Sequence, residues 1–179
     1  RVLAVSDQQG GVWNPDGLDI PKLVEHARRA KTLLGFPGVD ALSNAELLVS
    51  DVDVLIPAAL GGVLTKENAR DIRARYVVEG ANAPTTPEAD EILTQRGIPI
   101  LPDVYANAGG VTVSYFEWTQ NIQQFTWEEA KVAAELKRYM TEAYATLSRV
   151  ARERRVPLRT AAFIVAIGRV GRATVLRGL

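Results

Sequence analysis

A chain of 179 residues, 47% apolar and 23% charged, is long enough for one globular domain with a buried core and too short for two comfortable ones. Its 21 basic residues balance 21 acidic ones, so no long-range attraction singles out a nucleic acid or an anionic membrane, and no apolar run approaches the roughly 20 residues of a spanning helix. The absence of cysteine removes disulfides, thiolate metal sites and a cysteine nucleophile together, and a lone His26 builds no histidine metal cluster, so a soluble, cytoplasmic protein without a metal is expected.

Taken in chain order, two kinds of period alternate. "RVLAVSD" (1–7) is a short, β-branched, nearly continuous apolar run, the pattern of a strand covered on both faces. The chain opens at Arg1, without an initiator methionine, directly in this run, which predicts a longer parent chain. A helix is expected over roughly 19–34, with His26 on its solvated, charged face; "NPDG" (14–17) and "GFPG" (35–38) are turns on either side. "DVDVLIPAA" (51–59), "RYVVEGAN" (75–82) and "GIPILPD" (97–103) repeat the buried-strand pattern. Between them fall helices at 65–73, with Thr65 as N-cap, and 86–96, with Thr86 as N-cap and Pro87 at the first helical position. Strands alternating with helices of this length predict βαβ units in a doubly wound parallel sheet. After Pro102 the strands stop. "TWEE" (126–129) has the form of a capping box opening a helix from Trp127 to about Arg155, and Pro157 starts another toward Leu176. The expected division is 1–125 for the sheet-bearing part and 126–179 for C-terminal helices packed on it.

In such sheets ligands bind at the carboxyl ends of the strands. The first ends in Ser6-Asp7, where the carboxylate either accepts from ribose hydroxyls or initiates the turn into Gly10-Gly11. The second ends in Pro57-Ala58-Ala59, side chains small enough for a ligand to lie against the backbone, and equally common as packing filler. The third ends in Glu79-Gly80-Ala81-Asn82; an asparagine offers both a donor and an acceptor, or makes an Asx turn into the next helix. Beyond the fourth stand Asp103, Asn107, Gly109-Gly110, Val111 and Ser114, where glycines admit a ligand to the backbone and free amides at a helix start favour anions. By period alone Val111–Tyr115 reads as a strand, and Ser114 as a packing residue or a helix back-bonder.

"VEGANAPTTPEADEIL" (78–93) and "PDVYANAGGVTVSYFEWTQN" (102–121) resemble the cofactor domain of the glutamate dehydrogenases, and "AVSDQQGGVWNPDGLDI" (4–20), "DVDVLIPAA" and "RTAAFIVAIGRV" (159–170) match in order, so the resemblance covers essentially the whole chain. The related leucine, valine and phenylalanine dehydrogenases share the architecture but differ at "EGANAPTT" and "VTVSYFEW". The resemblance implies a Rossmann-like sheet followed by C-terminal helices, and interconversion of L-glutamate with 2-oxoglutarate and ammonia. It implies that Ser6 and Asp7 meet the adenosine ribose, that Ala58 and Ala59 line the dinucleotide, and that Asn82 and Asn107 hold the nicotinamide side. Val111 and Ser114 would then reach the substrate, and the block after the glycines would be a buried helix. NAD is the expected coenzyme because Asp7 repels a 2′-phosphate, with NADP possible if basic neighbours override one carboxylate. A homo-hexamer, or a hetero-oligomer with a homologous subunit, is implied.

Two departures stand against a self-sufficient enzyme. The Gly-rich loop that grips the pyrophosphate is absent together with the first strand, which in the order 3-2-1-4-5-6 is central and leaves strand 2 with an unpaired inner edge. "GRVGRA" (168–173) lies inside a helix and is no substitute. The substrate domain with its proton-transfer groups is absent as well, so no catalytic residue is expected in this segment and the segment alone is expected to be inactive. Where the family often carries an acidic residue and an amide after "PAA", this chain has Gly61-Gly62, which raises a non-catalytic regulatory subunit as the alternative.

Overall fold

The computed structural model describes residues 1–178. Along the chain these form β1 (Ala4–Asp7), β2 (Gly10–Trp13), α1 (Ile20–Ala30), β3 (Asp40–Leu42), α2 (Asn44–Leu48), β4 (Val54–Leu55), β5 (Tyr76–Val78), α3 (Pro87–Gln95), β6 (Ile100–Leu101), α4 (Asp103–Ala106), α5 (Ala108–Gln123), α6 (Glu129–Arg154) and α7 (Leu158–Leu176). Strands β4, β5 and β6 make a parallel sheet in that order, and beyond Pro102 the described elements are all helices, as the C-terminal periodicity requires.

The run at 1–7, expected among the parallel strands, instead pairs antiparallel with β2, and β2 with β3, in a separate three-stranded sheet. A hairpin causes this: Asp7 faces Gly10 across Gln8 and Gln9, and the Asp7 carboxylate accepts the Gln9 amide at 2.7 Å. Strand β2 escapes sequence reading because it begins with two glycines. Gly11 is required there, since a Cβ would stand 2.9 Å from Ser6 Cβ and 3.0 Å from Leu42 Cδ2. Among the described residues, strands β1 and β4 each have a backbone partner on one side only.

Local chemistry places three helix starts. The Asp19 side chain accepts from Lys22 N, Ser43 and Glu46 cap α2 reciprocally, and Thr86 Oγ1 accepts from Ala89 N directly ahead of Pro87. Replacing Thr86 with alanine removes that acceptor and is expected to cost about 1 kcal/mol, with serine restoring it; denaturant unfolding of the two variants checks this. Helix α1 stops at Ala30, short of residue 34, because Lys31 turns into the left-handed region at φ 60°.

Two expected helix starts do not form. Residues 66–71 are successive turns, because the Asn68 side chain accepts from Thr65 N and donates to Val63 O, tying the segment back on itself. The "TWEE" box is not made. Trp127 N donates to Gln120 Oε1 at 2.6 Å and its ring packs on Phe116, so α6 begins two residues later at Glu129, with no side-chain cap. A tertiary contact outcompetes a local one.

Three clusters of buried apolar side chains hold the elements. Leu55, Leu64, Ile72, Val77, Leu93 and Ile100 lie around the parallel sheet; Val12, Leu23 and Leu33 join the hairpin to α1; Leu147, Ala161 and Ala162 join α6 to α7. Each fully buried aliphatic side chain contributes about 1.5–3 kcal/mol. His26 is not on a fully solvated face: it is half-buried, its Nε2 lies 3.1 Å from Leu34 O, and its ring meets Phe36 edge-on.

Candidate functional site

The carboxyl ends of β4, β5 and β6 are drawn together by backbone bonds. Ala81 N donates to Pro57 O at 2.8 Å, and Gly62 N to Ala83 O at 2.9 Å, so residues 57–62 and 79–85 run side by side. Gly80 is needed for this approach, since a Cβ would stand 3.2 Å from that of Ala58. Gly61 is equally confined, with Asn82 O 3.0 Å from where its Cβ would lie, and Gly62 occupies φ 65°. Both glycines are therefore packed against the loop carrying Asn82. Ala58 and Ala59 remain exposed beside it.

Asn82 and Asn107, 25 residues apart in sequence, meet: Asn107 Nδ2 donates to Asn82 Oδ1 at 2.7 Å. Asn82 makes no Asx turn into α3, which Thr86 caps instead, and Asn107 precedes α5 without capping it through its side chain. Asn82 Nδ2 and Asn107 Oδ1 keep no protein partner among the described residues, leaving amide N–H donors on one residue and a carbonyl acceptor on the residue bonded to it. That is the complement of a primary carboxamide, and the exposed Ala58 and Ala59 leave the neighbouring backbone open to a flat ligand. These residues fit a nicotinamide dinucleotide.

Asp7 stands on the other sheet. Its two carboxylate oxygens accept from Gln9 N and Leu33 N, at 2.7 and 3.2 Å, so the residue does shape its turn. Each oxygen still has a second acceptor position, which a ribose diol could use. Ser6 packs across the hairpin from Gly11. Among the described residues no hydrogen bond or ion pair links Ser6 or Asp7 to the Asn82–Asn107 group.

Val111 and Ser114 lie three residues apart on α5, so they share a face one to two turns beyond Asn107. The block is helical despite its alternating start, but it is not buried. Val111 is 69% exposed, Tyr115 and Trp118 are exposed with it, and only Phe116 is buried in this helix. Ser114 Oγ donates to Gly110 O at 3.2 Å, the back-bonding that its helical position allows.

Behind the asparagines sits a polar cluster that sequence reading missed. Arg159, on the first turn of α7, donates through Nη2 to Glu79 Oε1 at 2.7 Å and through Nε to Asp90 Oδ1 at 3.1 Å, and its Nη1 lies 3.6 Å from Asp103 Oδ1. Glu79 is fully buried at the end of β5. Its other oxygen accepts from Asp103 N at 2.8 Å, and Asp103 Oδ2 accepts from Ala83 N at 2.7 Å. Burial alone would push the Arg159 guanidinium toward deprotonation, but its bonds to Glu79 and Asp90 overcome this and raise its pKa. The signal in the sequence was a glutamate closing an apolar strand, a position that demands a cation; its partner lies 80 residues away and no spacing rule finds it.

Among the described residues no group of three or more histidine, cysteine, aspartate or glutamate side chains is arranged to hold a metal, and no helix is long and apolar enough to cross a membrane.

Residues 1–178 match the Glutamate/Leucine/Phenylalanine/Valine dehydrogenase family. The chain is 49% identical to a glutamate dehydrogenase of Thermotoga maritima over its whole length, covering 43% of that protein. Among solved structures it is similar to a hetero-hexameric glutamate dehydrogenase of Thermus thermophilus in a leucine-bound form, with TM-score 0.92, 32% identity, and coverage of 100% of this chain and 42% of that one. It is also similar to the glutamate dehydrogenase of Peptoniphilus asaccharolyticus, with TM-score 0.82, 36% identity, and coverage of 99% and 41%. The chain thus spans under half the length of these relatives.

Proposed function

We propose, from the premise that this chain belongs to the glutamate/leucine/phenylalanine/valine dehydrogenase family, that it is the cofactor-binding part of a glutamate dehydrogenase. In the longer protein it would serve the reversible oxidative deamination of L-glutamate to 2-oxoglutarate and ammonia. The observation that carries this reading is the Asn82–Asn107 pair, with its free donor and acceptor, at the foot of the helix bearing Val111 and Ser114.

In this reading Asp7, beside Ser6, accepts from the adenosine ribose through the acceptor positions its turn leaves free. Ala58 and Ala59 let the dinucleotide lie flat, and Asn82 and Asn107 hold the carboxamide so that one face of the ring is directed at the substrate. Val111 bounds the substrate, and Ser114 donates to its side-chain carboxylate. The bound nicotinamide supplies the hydride acceptor. Proton transfer belongs to groups outside these residues. Residues 1–125 carry the dinucleotide site and 126–179 brace it. NAD is preferred because the Asp7 carboxylate repels a 2′-phosphate, with NADP the second choice. Assembly is as a homo-hexamer or with a homologous subunit.

A second reading is favoured by one observation. Gly61 and Gly62 present only backbone to the Asn82 loop, where the resemblance implies polar side chains, which suits a subunit that binds nucleotide or an effector and tunes a catalytic partner. The test is purification of the full-length chain and assay of coenzyme reduction with glutamate, leucine, valine and phenylalanine, each with NAD and NADP. Turnover greatest with glutamate supports the first reading. Greatest turnover with another amino acid moves the chain to a branched-chain or aromatic specificity. Dinucleotide binding without turnover supports the regulatory subunit.

A further inference from the structure

The cluster around Arg159 joins α7 to each element that carries the asparagine pair. Glu79 directly follows β5, three residues before Asn82, and Asp90 lies on α3, which follows the same loop. Asp103 opens α4, and one helical turn later its carbonyl accepts from Asn107 N at 3.1 Å. Both asparagines therefore hang from one aspartate. Its backbone oxygen holds Asn107, and its side chain holds Ala83, the neighbour of Asn82. Ala83 sits at φ 45°, a conformation that costs an L-residue about 1–2 kcal/mol and persists only if something holds it. The bond from its amide to Asp103 is one such restraint, and the bond from Gly62 N to its carbonyl is another.

Asp103 is in turn oriented from behind, its amide tied to Glu79 Oε2. The guanidinium meets the other oxygen of this buried side chain at 2.7 Å. Without that cation three carboxylates would face each other across the cluster, and the repulsion would bear on Asp103, whose carboxylate holds Ala83 N and Val104 N at 2.7 Å each, and on Glu79, which holds the Asp103 amide.

We infer that Arg159 is a positioning residue for the nicotinamide end of the dinucleotide, acting through Glu79 and Asp103 to hold Asn82 and Asn107 in register. This rests on the reading of the two asparagines as carboxamide ligands. It also ties the seating of α7 to coenzyme binding, since Arg159 is on the first turn of that helix.

The experiment measures, on the full-length chain, the dissociation constants of NADH and of ADP-ribose, which keeps the adenosine and pyrophosphate but lacks the nicotinamide. Arg159→Met should weaken NADH about tenfold, the loss of one good hydrogen bond, and leave ADP-ribose within about twofold; Arg159→Lys should recover part of the NADH affinity. A merely structural arginine would weaken both ligands together when it is replaced, and that result, or no change in either, overturns the inference. If Arg159→Met does not fold, the double variant Glu79→Gln/Arg159→Met removes both buried charges and should show the same selective loss. Failure of the unaltered protein to bind either ligand would overturn the dinucleotide reading and the inference with it, and is distinct from the outcomes that overturn the inference alone.

Discussion

Glu79→Ala is expected to lower the unfolding free energy of the full-length chain by about 3–5 kcal/mol, the usual consequence of removing one partner from a buried ion pair. The side chain is fully buried, and both of its oxygens are engaged by donors, Arg159 Nη2 and Asp103 N. Alanine leaves the half-buried guanidinium facing a void on one side, with Asp90 and Asp103 as its remaining partners, and an amide with no acceptor. Glutamine is the instructive control. Both neighbours of residue 79 are donors, so whichever way an amide is turned, its NH2 opposes either Arg159 or Asp103 N. Glu79→Gln should therefore still cost about 1–3 kcal/mol, the penalty of one unsatisfied buried group. Denaturant unfolding of the three proteins would check the order; a glutamine variant as stable as the original would show that the charge at residue 79 is dispensable.

On the proposed glutamate dehydrogenase reading, Ser114→Ala in the full-length protein is expected to raise the Michaelis constant for glutamate about tenfold while moving that for the coenzyme by no more than about twofold. A hydrogen bond to a charged carboxylate is worth about 1.5–3 kcal/mol, and the lower end applies because the hydroxyl must first leave Gly110 O. That bond, at 3.2 Å, is long for a hydroxyl donor. Back-bonding of this kind does little for a helix, so the variant should unfold at the same denaturant concentration as the original, and a change in glutamate affinity could not be blamed on a loosened fold. Equal effects on both Michaelis constants would remove the assigned role.

Much of the architecture was legible because it rests on short-range chemistry. Thr86 ahead of Pro87, Pro157 ahead of α7 and the apolar runs ending at Leu55, Val78 and Leu101 need only their neighbours to be read. The errors share a cause. Asn68 tied to Thr65 and Val63, Trp127 tied to Gln120, and Gly11 paired against Ser6 and Leu42 are all cases in which a partner decided a segment whose own propensity pointed elsewhere. The α5 block was recognised as helix only through resemblance, since its β-branched alternation is locally indistinguishable from a strand.

For the candidate site the division is similar. Residue chemistry near strand ends singled out Asp7, Asn82 and Asn107, because a carboxylate and amides carry their hydrogen-bonding capacity with them, and Ala58 for its small size, whereas the role of Ser114 came from the resemblance. The sequence by itself determined that capacity, the α/β class and the family. Only the tertiary structure decided that Asn82 and Asn107 share a bond, that Gly61 lies against Asn82, and that Arg159 closes a circuit with Glu79, Asp90 and Asp103. Which donor meets which acceptor across 25 or 80 residues is set by how strands and helices pack, and packing is a property of the whole chain rather than of any window along it.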